Sequence, residues 1–337
     1  MSVIDKYNTL IGVFKRFNKC MNRCQNYIIS GIYRMNPSLT IIYNNTSTVE
    51  RGEIQQYLFG NQSESNYIFK ILTKLVFRYV RNNGERFSGQ VITISTNEKD
   101  YKVFDYSSST LLTVFDSPTS LKDVYTKRMK WGEHFPVIES ELIGDDNALQ
   151  EVIFYNVPFN HLEMFSTVVN DYITYFEKAC FDISYITEDD LKLFNRFRVD
   201  FDISCCFERE QLVEKKIKRC ITHGDLWCSN ILSDNILHYY IDFENVGLRV
   251  FYYDIIMYMF SEELILCNSQ LLSKYFDGSY DCIMEQLFNA AGEVYYKESK
   301  DLYFLTFLYT LYSDRWKGTQ SSDTTIKVKK IIAKYLG

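Results

Sequence analysis

The segment ITHGDLWCSN at 221–230, followed twelve residues after Asn230 by the aspartate of YYIDFE, constrains this chain more than any other feature. The preceding IKRCIT predicts a short strand that ends before His223. ILSDNILHYYIDF predicts a hairpin that turns at 233–235. Asn230 then stands at the start of the first hairpin strand and Asp242 at the end of the second. Because a hairpin brings these ends together, their side-chain oxygens can share one cation.

Three polar side chains of this segment suit phosphoryl transfer. A small number of hard oxygen ligands, completed by water and phosphate oxygens, suits Mg²⁺, which makes Asn230 and Asp242 the candidate metal ligands. Asp225 lies five residues before Asn230, in a loop from which it can face a substrate hydroxyl. In such a site the first aspartate accepts or orients the hydroxyl proton, while the metal ligands act on the nucleotide phosphates. The protein mainly positions the reactants and neutralises charge.

HGDLWCSN and IDFE resemble the H-G-D-x4-N and (I/V)-D-(F/W)-E signatures of the aminoglycoside phosphotransferase and choline kinase superfamily. HGDLW is also similar to fructosamine kinases, and IDFE to choline and ethanolamine kinases. The resemblance is strong over 218–257 and architectural over 88–217. It implies an α+β, bilobal, protein-kinase-like fold, and an enzyme that uses ATP and Mg²⁺. It also implies that Asp254 begins a helix and steadies the loop, and we interpret His223 as a loop-organising residue.

The periodicity of the rest of the chain agrees with such a fold. Residues 1–35 and 65–83 have helical patterns. Between 88 and 157 the pattern predicts five short strands and one helix at 120–135, with Ser120 as its N-cap. From His161 onward it is mainly helical. The predicted domains are a mainly helical extension at 1–87, a five-stranded N-lobe with one helix at 88–157, and a helical C-lobe at 158–337.

The lysine that a kinase-like N-lobe supplies to the nucleotide phosphates is not where the resemblance implies it. The third predicted strand, TLLTVF, contains no lysine, whereas the second, YKVFDY, contains Lys102. Lys102 is either the phosphate-binding lysine or a solvated strand residue, because alternation alone does not say which face it occupies. Asp123 and Glu133 are both candidates for its acidic partner.

Other nucleotide contacts are predicted from two further segments. The turn STNEKD has no glycine, so contact there would rely on backbone amides and on Ser95 or Thr96. QEVIFYNV, which includes Glu151 and Phe154, resembles the hinge strand whose backbone meets the adenine. The alternative is an ordinary core strand.

Composition restricts partners and compartment. The net charge of −6 argues against nucleic-acid binding by the whole molecule. Nine cysteines, an odd number, indicate reduced thiols in a cytoplasmic protein. Cys20 and Cys24 are four residues apart and are predicted to pack on one face of a helix. Trp227 either contacts substrate or packs beneath the loop.

Three functions follow from these features. The first is a kinase that phosphorylates a hydroxyl of a small molecule, such as choline, ethanolamine, an aminoglycoside or a sugar. The second is a kinase of a glycan or lipid-linked cell-envelope intermediate. Its motivation is a possible contact of the basic N-terminal region with an anionic membrane or glycan through Lys70, Lys74, Arg78 and Arg81. The third is a non-catalytic binding module on the same fold. The oligomeric state is left open.

Overall fold

The structure is a computed structural model that describes residues 3–36, 41–45, 76–83, 87–94, 100–143, 147–185, 187–203, 216–234, 236–316 and 322–336. The chain divides into two compact units. One comprises Met1–Tyr125 with Ile138–Phe154, and the other comprises Thr126–Val137 with Tyr155–Gly337. The domain boundaries predicted at 87/88 and 157/158 stay predictions.

The first unit combines a long helix with an antiparallel sheet. Helix α1 spans Val3–Cys24, and a second helix, α2 (Pro118–Gly132), starts in this unit. Within the described residues the sheet has eight strands in the order β3-β1-β2-β4-β5-β6-β8-β7. The strands are β1 (Ile29–Met35), β2 (Ile41–Asn44), β3 (Phe77–Asn83), β4 (Val91–Ile94), β5 (Asp100–Asp105), β6 (Thr110–Phe115), β7 (Ser140–Ile143) and β8 (Ala148–Val152).

Helix α1 and one face of this sheet share a hydrophobic core. Side chains alternate between the two faces of a strand, and Tyr101 and Val103 of β5 are accordingly buried in the same cluster as the helix. On the helix side, Phe17, Cys20 and Cys24 recur at helical spacing and are almost completely buried. The predicted packing role of the two cysteines is therefore confirmed.

The five-stranded prediction is not confirmed, because three additional strands precede residue 88. The helix expected over 1–35 ends at Cys24, and β1 follows it. β1 forms backbone hydrogen-bond ladders with both β2 and β3, so it is an interior strand of the sheet. Pairing on two sides satisfies its backbone groups and overrides the helical appearance of this stretch.

The helix predicted over 65–83 is wrong for Phe77–Asn83, which forms β3; residues 65–75 lie outside the described part of the chain. Val76 and Val80 are both buried, and residues four apart share a face in a helix and in a strand alike. The two structures differ at Tyr79, which the helical pattern placed on the apolar face and which is 65% exposed. Hydrogen-bond pairing with β1 therefore selects the strand over the helix for this segment.

The remaining predictions for this unit are close to the structure. β4, β5 and β6 correspond to the three strands expected over 89–115, and β7 and β8 to the two joined by GDDN. Helix α2 begins at Pro118, two residues before the predicted N-cap. The Ser117 hydroxyl accepts a hydrogen bond from the Ser120 amide at 3.1 Å, so the cap is Ser117 and Pro118 occupies the first helical position.

The second unit is mainly helical and carries short strands around the HGD motif. A three-stranded sheet has the order β13-β10-β9, and β11 pairs with β12 as a hairpin. The strands are β9 (Asp182–Tyr185), β10 (Lys216–Thr222), β11 (Ile231–Ser233), β12 (His238–Tyr240) and β13 (Gly247–Val250). The helices are α3 (His161–Phe176), α4 (Glu188–Asp200), α5 (Tyr253–Leu266), α6 (Gln270–Phe276), α7 (Asp281–Ala290), α8 (Lys300–Leu311) and α9 (Ser322–Leu336).

Helix α5 is the centre of this unit. Every residue from Tyr253 to Glu262 is buried, which is the pattern of a helix surrounded by other elements. Its core position matters for the site, because α5 begins directly after β13 and brings Asp254 beneath the HGD loop. Among the described residues, no helix is long and apolar enough to cross a membrane.

Candidate active site

The HGD loop is held from below by the carboxylate of Asp254. β10 delivers the chain to His223, as predicted, and the backbone amides of His223 and Gly224 donate to the two Asp254 oxygens at 2.5 and 2.9 Å. The Tyr172 hydroxyl also donates to this carboxylate. Burial raises the pKa of Asp254 above its ordinary value. The predicted structural role of Asp254, in the first turn of a helix and steadying the loop, is therefore confirmed.

His223 connects this loop to the end of the hairpin. Its side chain is fully buried, and Nε2 lies 2.8 Å from the carbonyl oxygen of Ile241, so Nε2 carries the proton and donates it. Burial lowers the pKa of His223, which keeps the imidazole neutral. A neutral ring that donates to the residue before Asp242 organises the loop.

Gly224 is required by the backbone that surrounds it. Its φ is +80°, and a Cβ at this position would lie 2.2 Å from the Asn245 carbonyl oxygen and 2.5 Å from Nη1 of Arg249. Arg249 in turn donates to the Asn245 carbonyl at 2.9 Å and to the Thr222 hydroxyl at 3.1 Å. Only glycine combines this φ with so close an approach of the 243–245 turn.

The predicted hairpin is present and brings Asn230 and Asp242 to one end. Ile231 pairs with Tyr240, and the Ile241 amide donates to the Asn230 carbonyl at 3.0 Å. The Asn230 side chain is buried, and its amide nitrogen donates to the backbone carbonyl of Asp225 at 2.7 Å. This contact leaves the Asn230 amide oxygen as the atom available to a ligand.

Asp242 adopts an unusual backbone conformation. It is exposed and lies in the left-handed region, with φ 68° and ψ 69°, directly before the buried Phe243. Non-glycine residues in this region cost free energy and cluster at functional sites. The carboxylate of Asp242 and the amide oxygen of Asn230 are hard oxygen donors, and this donor set fits Mg²⁺.

Asp225 forms an ion pair that the sequence did not reveal. Arg315 donates from Nη1 and Nη2 to the two carboxylate oxygens at 2.6 and 3.2 Å, a bidentate geometry. Arg315 lies in the π-helical turn Tyr312–Trp316 after α8, and Nη1 is also 3.5 Å from the Gly224 carbonyl oxygen. The pair joins positions 90 residues apart, so local spacing carries no signal for it.

Trp227 is partly buried and packs against the large core of the second unit. Its neighbours in the loop, Leu226 and Cys228, are buried in the same core. Of the two predicted roles for Trp227, packing beneath the loop is therefore the one that these contacts favour.

The predicted nucleotide contacts lie in the first unit. Lys102 is half-buried, on the face of β5 opposite to Tyr101 and Val103, and Asp123 and Glu133 are both exposed. Glu151 lies in β8, where it is half-buried, and half-buried Phe154 follows the end of that strand. Ser95 and Thr96 lie outside the described residues. Each assignment stays a prediction.

Comparisons with known proteins find similarity only among solved structures. No protein-family model and no curated protein sequence matches the chain. Solved structures that match include choline kinase LicA from Streptococcus pneumoniae, at 13% identity and TM-score 0.45, over 72% of this chain and 90% of that chain. An apo thermostable mutant of aminoglycoside phosphotransferase APH(4)-Ia matches at 14% identity and TM-score 0.43, over 74% and 96%.

A third match is amicoumacin kinase hAmiN in complex with AMP-PNP, Ca²⁺ and Ami, at 14% identity and TM-score 0.37, over 72% of this chain and 86% of that chain. The matched structures are kinases of the kind that the HGDLWCSN and IDFE motifs of this chain resemble.

Proposed function

We propose that this protein is an ATP- and Mg²⁺-dependent phosphotransferase that phosphorylates a hydroxyl of a small molecule. The observation that carries the proposal is the junction of the hairpin ends with the HGD loop. The Asn230 amide donates to the Asp225 carbonyl, and the Ile241 amide donates to the Asn230 carbonyl. One local hydrogen-bond network therefore links the candidate proton acceptor to both candidate metal ligands.

Each of the three side chains has a separate role. Asp225 accepts or orients the proton of the acceptor hydroxyl, and Arg315 holds its carboxylate in one orientation. Asn230 and Asp242 hold the metal through an amide oxygen and a carboxylate. When bound, Mg²⁺ would offset the negative charge of the nucleotide phosphates. His223, Gly224 and Asp254 position the loop.

We further propose that Lys102 contacts the nucleotide phosphates and that Ser95, Thr96, Glu151 and Phe154 contact the rest of the nucleotide. The position of Lys102 on the sheet face opposite to the α1 core supports this role. A cytoplasmic location is part of the proposal. The odd number of cysteines, and the free state of all seven cysteines among the described residues, support it.

The small-molecule class is favoured over a glycan or lipid-linked acceptor. The latter was motivated by four basic residues on one helical face. Arg78 and Arg81 lie instead on β3, where residues three apart point to opposite faces, and Lys70 and Lys74 lie outside the described residues. Arg78 also donates to the Asn22 side chain at 2.6 Å. Amino-alcohols, aminoglycosides and sugars all remain candidate acceptors.

A phosphotransfer screen tests the proposal. The full chain is incubated with Mg²⁺ and either ATP or GTP, together with choline, ethanolamine, aminoglycosides, fructosamines and sugars, and labelled product is measured. Asp225→Asn should abolish turnover and retain nucleotide binding. Asp189→Asn, at a helix residue whose side chain is 89% exposed, is the matched control and should behave as wild type. Tight Mg-ATP binding without phosphorylation of any acceptor would instead support the non-catalytic binding module.

A further inference from the structure

Three side chains with different ligand atoms meet on the second unit beside the HGD loop. His161, Cys228 and Glu262 each offer one ligand atom, and these atoms all lie within 4.8 Å of one another. The imidazole Nδ1 of His161 is 2.9 Å from Oε2 of Glu262. His161 is the first residue of α3, Cys228 begins the short turn Cys228–Asn230, and Glu262 lies on α5. Three separate elements therefore converge on one point.

Glu262 is the unusual member of this group. Its side chain is completely buried, and no nitrogen or oxygen donor among the described residues contacts Oε1. The neighbouring Cys228 thiol, whose pKa is raised by burial and by this carboxylate, is the donor beside it. The other oxygen, Oε2, accepts from Asn268 Nδ2 at 3.1 Å in addition to its contact with His161. Since burying a carboxylate without full compensation is expensive, an oxygen with only a thiol beside it calls for a cation or a stronger donor.

The donor set determines which cation fits. Imidazole nitrogen, thiolate sulfur and carboxylate oxygen together suit Zn²⁺ and other transition metals, whereas Mg²⁺ prefers oxygen alone. Zinc–ligand bonds of about 2.0–2.3 Å in a tetrahedron place neighbouring ligand atoms about 3.3–3.6 Å apart. Ligand atoms already within 4.8 Å of one another need only small side-chain movements to reach that spacing.

The group also leaves room for a fourth ligand. The His161 side chain is 37% exposed, whereas Glu262 is fully buried and Cys228 nearly so, so solvent reaches the site from the histidine side. Three protein ligands with one position open to water is a common arrangement around zinc.

We propose that His161, Cys228 and Glu262 form a zinc site that fastens the catalytic loop to α3 and α5. Cys228 and Asn230 belong to one short turn, so zinc bound to Cys228 would fix that turn against two helices. A cation at this position displaces the thiol proton and stabilises the folded state through its binding free energy. The site differs from the Asn230–Asp242 pair in donor chemistry and does not depend on kinase activity.

Cobalt substitution tests this site directly. The full-length, reduced and metal-free protein is titrated with Co²⁺, and thiolate-to-cobalt charge transfer in the near ultraviolet is recorded together with the visible bands of tetrahedral cobalt. We expect one equivalent of Co²⁺ to produce both signals, Zn²⁺ to remove them by competition, and excess Mg²⁺ to leave them unchanged.

Variants separate this site from the other cysteines and from the proposed catalytic metal. Cys228→Ser should abolish the charge-transfer band, while Cys282→Ser, at an exposed cysteine, should retain it. Asp242→Asn should also retain it, because Asp242 contributes to a different donor set. His161→Gln should weaken Co²⁺ binding by at least about tenfold, and it alters a half-exposed residue, which keeps the test valid if Cys228→Ser fails to fold.

Two results would overturn the zinc proposal. One is a thiolate band that persists unchanged in Cys228→Ser, and the other is the lack of stoichiometric binding by the wild-type chain. In either case the group is a histidine–glutamate ion pair beside a buried thiol. Both readouts are independent of phosphotransfer, so their failure would leave the proposed kinase function untouched.

Discussion

The HGD loop has two parts that differ in how their polar groups are used. One is a buried frame formed by His223, Gly224 and Asp254, and the other is a rim formed by Asp225, Asn230 and Asp242. In the frame, the backbone amides of His223 and Gly224 and the Tyr172 hydroxyl all donate hydrogen bonds to the Asp254 carboxylate. All three frame residues are buried. The frame therefore contributes position and stability.

The rim differs from the frame in its acceptor oxygens. Within the described part of the chain, neither the Asp242 carboxylate nor the amide oxygen of Asn230 accepts a hydrogen bond, and Asp242 holds a left-handed backbone. Asp225 is the intermediate case, since its carboxylate is 21% exposed and held by Arg315. We therefore expect substitutions in the rim to lower turnover only, and substitutions in the frame to lower both turnover and the stability of the fold.

The largest expected effect lies in the rim. Asp225→Asn removes the carboxylate that we propose accepts or orients the acceptor proton, and we expect turnover to fall by about 10³-fold. The free energy of unfolding, measured by urea titration, should change by only about 1 kcal/mol, because Asn keeps the shape of the side chain and one oxygen acceptor for Arg315. A variant that loses stability to the same extent as a frame variant would break the distinction between the two regions.

The next effect lies in the frame. Asp254→Ala leaves the amides of His223 and Gly224 and the Tyr172 hydroxyl buried without their acceptor, so the free energy of unfolding should fall by about 3 kcal/mol. Urea denaturation followed by circular dichroism measures this change. Asp189→Ala, at an exposed carboxylate, should lie within about 0.5 kcal/mol of wild type. Equal free energies of unfolding for Asp254→Ala and Asp189→Ala would show that the hydrogen bonds to Asp254 do not stabilise the fold.

Arg315 contacts both parts of the loop, the Gly224 carbonyl in the frame and the Asp225 carboxylate in the rim. Arg315→Met releases the Asp225 carboxylate from its bidentate pair, and we expect the turnover number to fall by about 10- to 100-fold through lost orientation. Arg315→Lys keeps the charge without the planar fork and should give an intermediate value. Nucleotide affinity, measured by calorimetry, should be unaffected. An unchanged turnover number in both variants would contradict the positioning role.

The smallest effect concerns the pH dependence of the frame. Burial lowers the pKa of His223 in the folded protein, whereas in the unfolded chain it is near 6.5. Between these values the unfolded chain binds the additional proton, so the free energy of unfolding declines as the pH falls below about 6.5. In His223→Gln this decline between pH 7 and 5 should be smaller by about 1 kcal/mol. His134→Gln, at an exposed histidine, controls for the substitution, and equal declines in the two variants would refute the prediction.

Much of the site was predictable because its parts are close in sequence. Strand β10, the loop, the hairpin and the turn after Asp242 follow one another without interruption, so residue type and spacing alone indicated their arrangement. The same holds for β4–β8, where short strands alternate with turns. The cap of helix α2 was displaced by three residues because Ser117 and Ser120 are both capable caps and only the hydrogen bond between them distinguishes their positions.

The wrong prediction for Phe77–Asn83 and the contacts that the sequence did not reveal both involve distant segments. Phe77–Asn83 carries apolar residues at positions that suit a helix and a strand equally, and β1, about fifty residues away, selects the strand. Arg315 is another example, since nothing in SDRW indicates a partner 90 residues earlier. The convergence of His161, Cys228 and Glu262 could likewise not be predicted from the sequence, because the three residues lie on separate elements.

The sequence by itself predicted the chemistry proposed for the loop, because Asp225, Asn230 and Asp242 lie on one continuous stretch of chain whose geometry follows from strand and turn preferences. The tertiary structure added the contacts that hold the loop from remote segments. The Tyr172 hydroxyl on Asp254, the Arg315 fork on Asp225 and the strands that extend the sheet all arise from packing of segments far apart in the chain. Local preferences are too weak to specify such contacts, which form when buried polar groups must find partners and apolar faces must be covered.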